Sequence, residues 1–154
     1  MSGPAERLAE LGLTLPPVAA PGGAYVPGVR SGAFVYTSGQ LPTVDGKLLA
    51  VGKVGGEVSV SDAAGLARTC ALNALAAAAS QAGGLDGIRR IVKVTGFVAS
   101  APGFGGQPQV VNGASELLIE VFGADGRHAR SAVGVAELPL NAPVEVELIA
   151  EVRG

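Results

Sequence analysis

The stretch that most limits what this chain can become is its end. From Val144 onward the sequence alternates: Val144, Val146, Leu148, Ala150 and Val152 fall on one side, and Glu145, Glu147, Ile149 and Glu151 on the other. Period two with β-branched residues on the apolar side is the pattern of a half-buried strand and not of a helix. The run before it alternates as well, with Ser131, Val133 and Val135 on one face and Arg130, Ala132 and Gly134 on the other. A turn rich in proline and asparagine, Leu138-Pro139-Leu140-Asn141-Ala142-Pro143, separates the two runs, so they read as a terminal antiparallel hairpin. An arginine beside two very small residues leaves open space next to a guanidinium, whose coplanar donors suit a carboxylate or phosphate. On pattern alone, a solvated strand-end charge is the plainer reading of Arg130.

Upstream, Pro4 to Leu11 reads as a short helix ended by Gly12, and the prolines and glycines to Gly23 break regular structure. Residues 1–22 are therefore expected to form an N-terminal arm, and 23–154 a single domain. Tyr25 to Val29 and Ala33 to Thr37 read as strands of a hairpin turned at Arg30-Ser31-Gly32, and Val44-Asp45-Gly46-Lys47 as a second tight turn. Between them, Ser38-Gly39-Gln40-Leu41-Pro42 reads on spacing as an ordinary turn. The glycine would also permit close approach of a ligand. Ser59 or Ser61 can cap a long alanine-rich helix that stops at Gly83-Gly84. Ile91 to Ala99 reads as a central strand. Pro108 then opens a second helix, with Val110, Ala114, Leu117, Leu118 and Val121 as its apolar face and Gly123 as its stop. The order β-β-α-β-α-β-β predicts an α+β domain with two helices packed on one face of a mixed sheet. The other face, expected to carry Arg130 and Glu145, Glu147 and Glu151, is too mixed for a core and reads as a subunit interface lined with polar site residues.

Composition sharpens this. Of 154 residues, 48 % are hydrophobic and 16 % charged, with no tryptophan. That is apolar for a small monomer and implies surface hidden against another subunit. Net charge is −2, with no basic stripe and no aromatic platform, which argues against nucleic acid. Cys70 is the only cysteine and His128 the only histidine, so neither an internal disulfide nor a zinc signature is available. Cys70 reads as a packed thiol, and Asn73 as a satisfied structural hydrogen-bonder. The absence of an apolar leader and of any ~18-residue apolar run leads to the expectation of a cytoplasmic protein without a membrane segment.

Taken together, several pieces resemble the RidA/YjgF family, also called the reactive intermediate deaminase family. They are Ala24-Tyr25-Val26, Tyr36-Thr37-Ser38-Gly39-Gln40-Leu41-Pro42, Ala67-Arg68 with Asn73, Val110-Val111-Asn112, Ala129-Arg130-Ser131-Ala132-Val133, Leu138-Pro139 and Val144-Glu145-Val146-Glu147. The resemblance runs in order from Gly23 to the end. It implies a chorismate-mutase-like α+β fold, a homotrimer and sites in the clefts between subunits. It further implies that Arg130 holds a substrate carboxylate and that Glu145 activates the attacking water. Tyr25, Ser38, Gly39, Asn112 and Ala132 would line the cleft, Asn112 from across the interface. The implied reaction is hydrolysis of an enamine or imine, such as 2-aminoacrylate, to a 2-keto acid and ammonia, with no metal or organic cofactor. The chain departs from the family at His128, where proline is usual two residues before the arginine, at Ala132, where some members carry cysteine, at Ser115 and Leu118, which replace aromatics, and in its longer opening arm. A non-catalytic trimer that binds carboxylate metabolites is the alternative. Ribonuclease activity, a label some members carry, sits poorly with the acidic charge, and chorismate mutase chemistry shares only the fold.

Overall fold

A computed structural model describes residues 2–154. Helix α1 spans Pro4–Glu10 and is followed by strands β1 (Gly28–Ser31), β2 (Phe34–Thr37), β3 (Thr43–Val44) and β4 (Lys47–Leu48). Helix α2 (Val60–Ala82), strand β5 (Ile88–Ala99), helix α3 (Gln107–Phe122) and strands β6 (Ala129–Val135) and β7 (Val144–Val152) complete the chain. The main sheet has the order β1-β2-β7-β5-β6, and β3 and β4 form a separate ribbon. Within the main sheet, among the described residues, only the β5–β6 pair is parallel.

The helices begin and end for local reasons. Ser59 caps α2, its hydroxyl accepting the Asp62 N–H at 3.1 Å, and Gly83 closes the helix in the left-handed conformation at φ 77°. Small residues let α2 and α3 come very close. A side chain at Gly113 on α3 would run into the backbone of Ala64 on α2. Likewise Gly96 on β5 leaves the room that Val111 of α3 occupies. All five apolar positions expected for α3 are fully buried, as is Cys70. Asn73 is buried and satisfied, its amide donating to the Leu41 and Thr43 carbonyls at 3.1 and 3.0 Å. Helix α1 docks on this layer: Leu8 is 3 % exposed, and the Ala5 N–H donates to Asp86 Oδ1 at 3.0 Å.

Two expectations fail in instructive ways. The first strand starts three residues later than Tyr25, at Gly28 just after Pro27, and continues through Ser31. Its turn is Gly32-Ala33, with Gly32 at φ 61°. More important, β6 and β7 are not a hairpin. Chain passing from β5 through α3 re-enters the sheet parallel to β5, on its outer edge, and β7 then crosses back to lie between β5 and β2. In that position all five apolar residues of β7 are buried under the helices, whereas a terminal hairpin would give β7 a neighbour on one side only. The change of pairing moves Arg130 to the other face. Arg130 is level with Val94, which is level with Leu148, so Arg130 shares the helix-side face. Glu145 is level with Phe97, on the opposite face with Val133. The register of β6 and β7 against β5 decides the face, because side chains alternate with period two and a shift of one residue reverses it.

Candidate functional site

Arg130 is set by α3. Its Nη1 donates to Asn112 Oδ1 at 2.8 Å and to Ser115 Oγ at 3.2 Å, and its Nη2 donates to the Pro108 carbonyl at 3.4 Å. Asn112 and Ser115 are one helical turn apart and so project from one side of α3. Both Nη1 hydrogens and one Nη2 hydrogen are thus engaged. Nε has no hydrogen-bond partner among the described residues, and on a planar guanidinium the Nε side and the neighbouring Nη2 form an edge that suits a carboxylate. Neither ion pair found among the described residues, Arg68–Glu120 or Arg89–Glu151, involves Arg130. The guanidinium opens onto a cavity of about 210 Å³ lined by Ser115, Ile119, Arg127, His128 and Arg130. Within it, His128 Nε2 lies 2.9 Å from Ser115 Oγ and His128 Nδ1 lies 2.6 Å from the Gly126 carbonyl. Burial, then the Gly126 carbonyl acting in the opposite sense, then the Arg130 charge act on this imidazole, and the net effect lowers its pKa below the ordinary histidine value. The small residues beside Arg130 also serve packing. A side chain at Gly134 would collide with the Gln107 amide and the Ser100 hydroxyl, which hydrogen-bond to each other at 3.1 Å, and Ala132 packs against the core.

Glu145 occupies a second region. A groove of about 910 Å³ is bordered by Tyr25, Gly39, Gln40, Leu140 and Glu145, with the proline-rich stretch from Thr14 to Gly22 along one side. Gln40 and Val146 exchange backbone hydrogen bonds at 2.8 and 3.0 Å, which clamps the chain after β2 onto β7 and lays Gly39 against Glu145. The fit is close: a methyl group added at Gly39 would sit 2.7 Å from the Glu145 carboxyl carbon. Burial first, and then the like charge of Glu147, push the Glu145 carboxyl above the ordinary glutamate pKa. Ser38 does not reach the groove with its hydroxyl, which donates to the Val26 carbonyl at 2.6 Å and so fixes the segment that carries Tyr25. Tyr25 is about half exposed, and its hydroxyl accepts the Gly22 N–H at 3.2 Å.

The seven expected residues therefore fall into two groups in one chain. Arg130, Asn112 and Ala132 lie on the helix-side face at the β6 edge; Tyr25, Ser38, Gly39 and Glu145 lie around the start of β7. Asn112, expected from across an interface, bonds Arg130 of its own chain. Ser115 and His128, read from the sequence only as departures from a pattern, belong to the Arg130 group. Their spacing held the signal: His128 lies just before β6, two residues from Arg130, and Asn112 and Ser115 are three apart on one helix. Among the described residues no group of three or more His, Cys, Asp or Glu is arranged to hold a metal ion, and no helix is long and apolar enough to cross a membrane.

The sequence model of the family described as "YjgF/chorismate mutase-like, putative endoribonuclease" matches residues 5–152, a span that includes most of α1. Protein TCP17 of Trypanosoma cruzi is 44 % identical over 150 residues, covering 97 % of this chain and 94 % of that protein. Atu1372 of Agrobacterium tumefaciens, solved as a protein of unknown function, is 48 % identical with a TM-score of 0.88, over 98 % of this chain and 94 % of that one. Escherichia coli TdcF, solved with bound serine, is 31 % identical with a TM-score of 0.64, over 92 % of this chain and 96 % of that one.

Proposed function

The chain belongs to the YjgF/chorismate mutase-like family, and on that premise we propose that it hydrolyses reactive enamines and imines of the 2-aminoacrylate type to 2-keto acids and ammonia, at sites shared between the subunits of a homotrimer. The observation that carries the reading is the Arg130 guanidinium, held by three hydrogen bonds through Nη1 and Nη2 with its Nε–H left without a partner among the described residues. A bound serine in a relative 31 % identical is in keeping with a ligand that bears an amino-acid carboxylate.

The chemistry then needs little. An enamine tautomerises to its imine, and water adds to the imine carbon while Glu145 takes a proton from it. Glu145 passes that proton to the imine nitrogen, giving the carbinolamine. The carbinolamine's hydroxyl proton then moves through Glu145 to the nitrogen as the C–N bond breaks, releasing ammonia and leaving the C=O of the keto acid. An imine is already electrophilic, so orientation and a placed base are the main requirements. A carboxylate whose pKa is raised by burial is a better base near neutrality than an exposed one.

The two groups of residues meet only if a second chain brings its Glu145 region to the Arg130 edge of the first. Such contact is heterologous, one surface against a different one, and it closes into a ring. The outer sheet face supports burial against a partner: Val29, Phe34, Tyr36 and Val133 are all exposed there, between 38 % and 51 %. The net charge of −2 gives an RNA substrate less support.

A coupled assay tests the proposal. A serine or threonine dehydratase, or an amino-acid oxidase, supplies short-lived imines, and keto-acid formation is followed with wild type and Arg130→Ala. Acceleration by wild type, lost in Arg130→Ala with the assembly intact by light scattering, is the expected result. Equal acceleration by both proteins refutes the role of Arg130. No acceleration, with keto acids still bound through Arg130, marks a carboxylate-binding trimer instead.

A further inference from the structure

Three groups in the Arg130 cavity form a chain whose polarity can be worked out from the acceptors alone. The Gly126 carbonyl can only accept, so His128 Nδ1, 2.6 Å away, carries the hydrogen. In the neutral ring Nε2 is then an acceptor, and the Ser115 hydroxyl 2.9 Å away must donate to it. With its hydrogen committed to His128, Ser115 Oγ presents lone pairs to its other neighbour, Arg130 Nη1, which donates at 3.2 Å. The Gly126 carbonyl, His128, Ser115 and Arg130 are therefore joined in a one-way relay, at whose end Arg130 Nη1 donates both to Ser115 Oγ and to Asn112 Oδ1. Ser115 is only 8 % exposed, and among the described residues neither ring nitrogen of His128 nor Ser115 Oγ has a partner outside the relay that would reverse the order.

We propose that His128 and Ser115 are positioning residues, a relay that locks the Arg130 guanidinium with its Nε–H/Nη2–H edge turned outward to the substrate carboxylate. This rests on the carboxylate-binding reading of Arg130 given above. The physical reason is rotational. A guanidinium held only by Asn112 Oδ1 and the Pro108 carbonyl can pivot about the line joining those two acceptors; a third acceptor on Nη1 fixes the plane. An unassisted Ser115 hydroxyl could turn its own hydrogen toward Nη1, which would repel the cation. His128 Nε2 removes that freedom by capturing the hydrogen. The depressed pKa of His128 agrees with a ring that stays neutral at pH 7 and keeps Nε2 free to accept. The lone Arg127 on the cavity rim adds positive charge but does not enter the relay.

Because His128 is the only histidine, its imidazole can be observed directly. Long-range proton–nitrogen spectra of 15N-labelled protein at pH 7.5 should show a single ring with the proton on Nδ1. Addition of pyruvate or 2-oxobutanoate should shift Nε2 in wild type, since the carboxylate tightens Arg130 on Ser115, and this shift should vanish in Ser115→Ala. A histidine that merely fills space would not move. Calorimetry should show Ser115→Ala binding the keto acid about tenfold more weakly, as expected for losing a hydrogen bond to a charged group, with its thermal midpoint near that of wild type. A proton on Nε2, or wild-type affinity in Ser115→Ala, overturns the proposal. If wild type binds no keto acid, the carboxylate reading itself fails. The tautomer, and the response of Nε2 to Ser115→Ala without ligand, still decide whether the relay exists.

Discussion

Replacing Gly39 by alanine should cripple the proposed chemistry while leaving the fold intact. Gly39 is not among the residues with positive φ, so its backbone accepts alanine without strain. The added methyl would lie 2.7 Å from the carboxyl carbon of Glu145 and 3.1 Å from its Cγ, where ordinary contact begins at 3.4 Å. The side chain must retreat, and the carboxylate at its end moves by about an ångström, a displacement that commonly costs ~100-fold when the moved group is a catalytic base. That corresponds to about 2.7 kcal/mol of lost transition-state stabilisation. The assay is the coupled imine hydrolysis, read as kcat, beside keto-acid affinity by calorimetry and a thermal melt. We expect kcat to fall about two orders of magnitude, with affinity close to wild type because the Arg130 that meets the carboxylate is held by α3 of its own chain and is not what the new methyl displaces. A kcat within about threefold of wild type in a folded protein would refute Glu145 as the base, since a base tolerant of such displacement contradicts the geometric requirement.

Two further outcomes bear on the scaffold and its pH response. Gly113→Ala should lower the urea midpoint by the equivalent of ~1–3 kcal/mol or more, because the new methyl meets the Ala64 backbone and not a flexible side chain; an unchanged midpoint would show that α2 and α3 are less closely packed than described. For His128 the sign follows from its depressed folded-state pKa. The unfolded chain binds the proton first, so stability is full above the ordinary histidine value of 6.5 and declines as pH falls from there through the lower folded value. His128→Gln should flatten the slope of urea midpoint against pH on the acid side of 6.5, and a slope equal to that of wild type would assign it to other groups.

Much of the fold was legible because its signals are local. The serine cap and left-handed glycine that bound α2, the proline that opens α3 with its buried stripe, and the alternation of β7 are all read within a few residues. The N-terminal helix was equally plain, though not its attachment through Leu8 and Asp86. Strand partnership was not legible. Alternation says which residues share a face; it does not say whether the next strand is a hairpin partner or lies beyond an inserted third, and for β6 it was the latter. That one non-local fact decided which way Arg130 points. The same blindness hid the Ser115–His128 pair. Each residue is unremarkable on its own element, and only the packing of α3 beside β6 brings their side chains within hydrogen-bond reach.

The placement of Arg130 and Glu145 on opposite faces of one sheet has a consequence for how such a protein can be switched on. Under the proposed mechanism, a single folded chain holds its arginine and its glutamate apart and cannot bring the two to one substrate. In the proposed assembly, competence then depends on encounter between chains, so the protein's own concentration becomes a term in its rate law. A newly made subunit would be inert until it found companions, and a subunit lacking Arg130 could still lend its Glu145 to a neighbour that has the arginine.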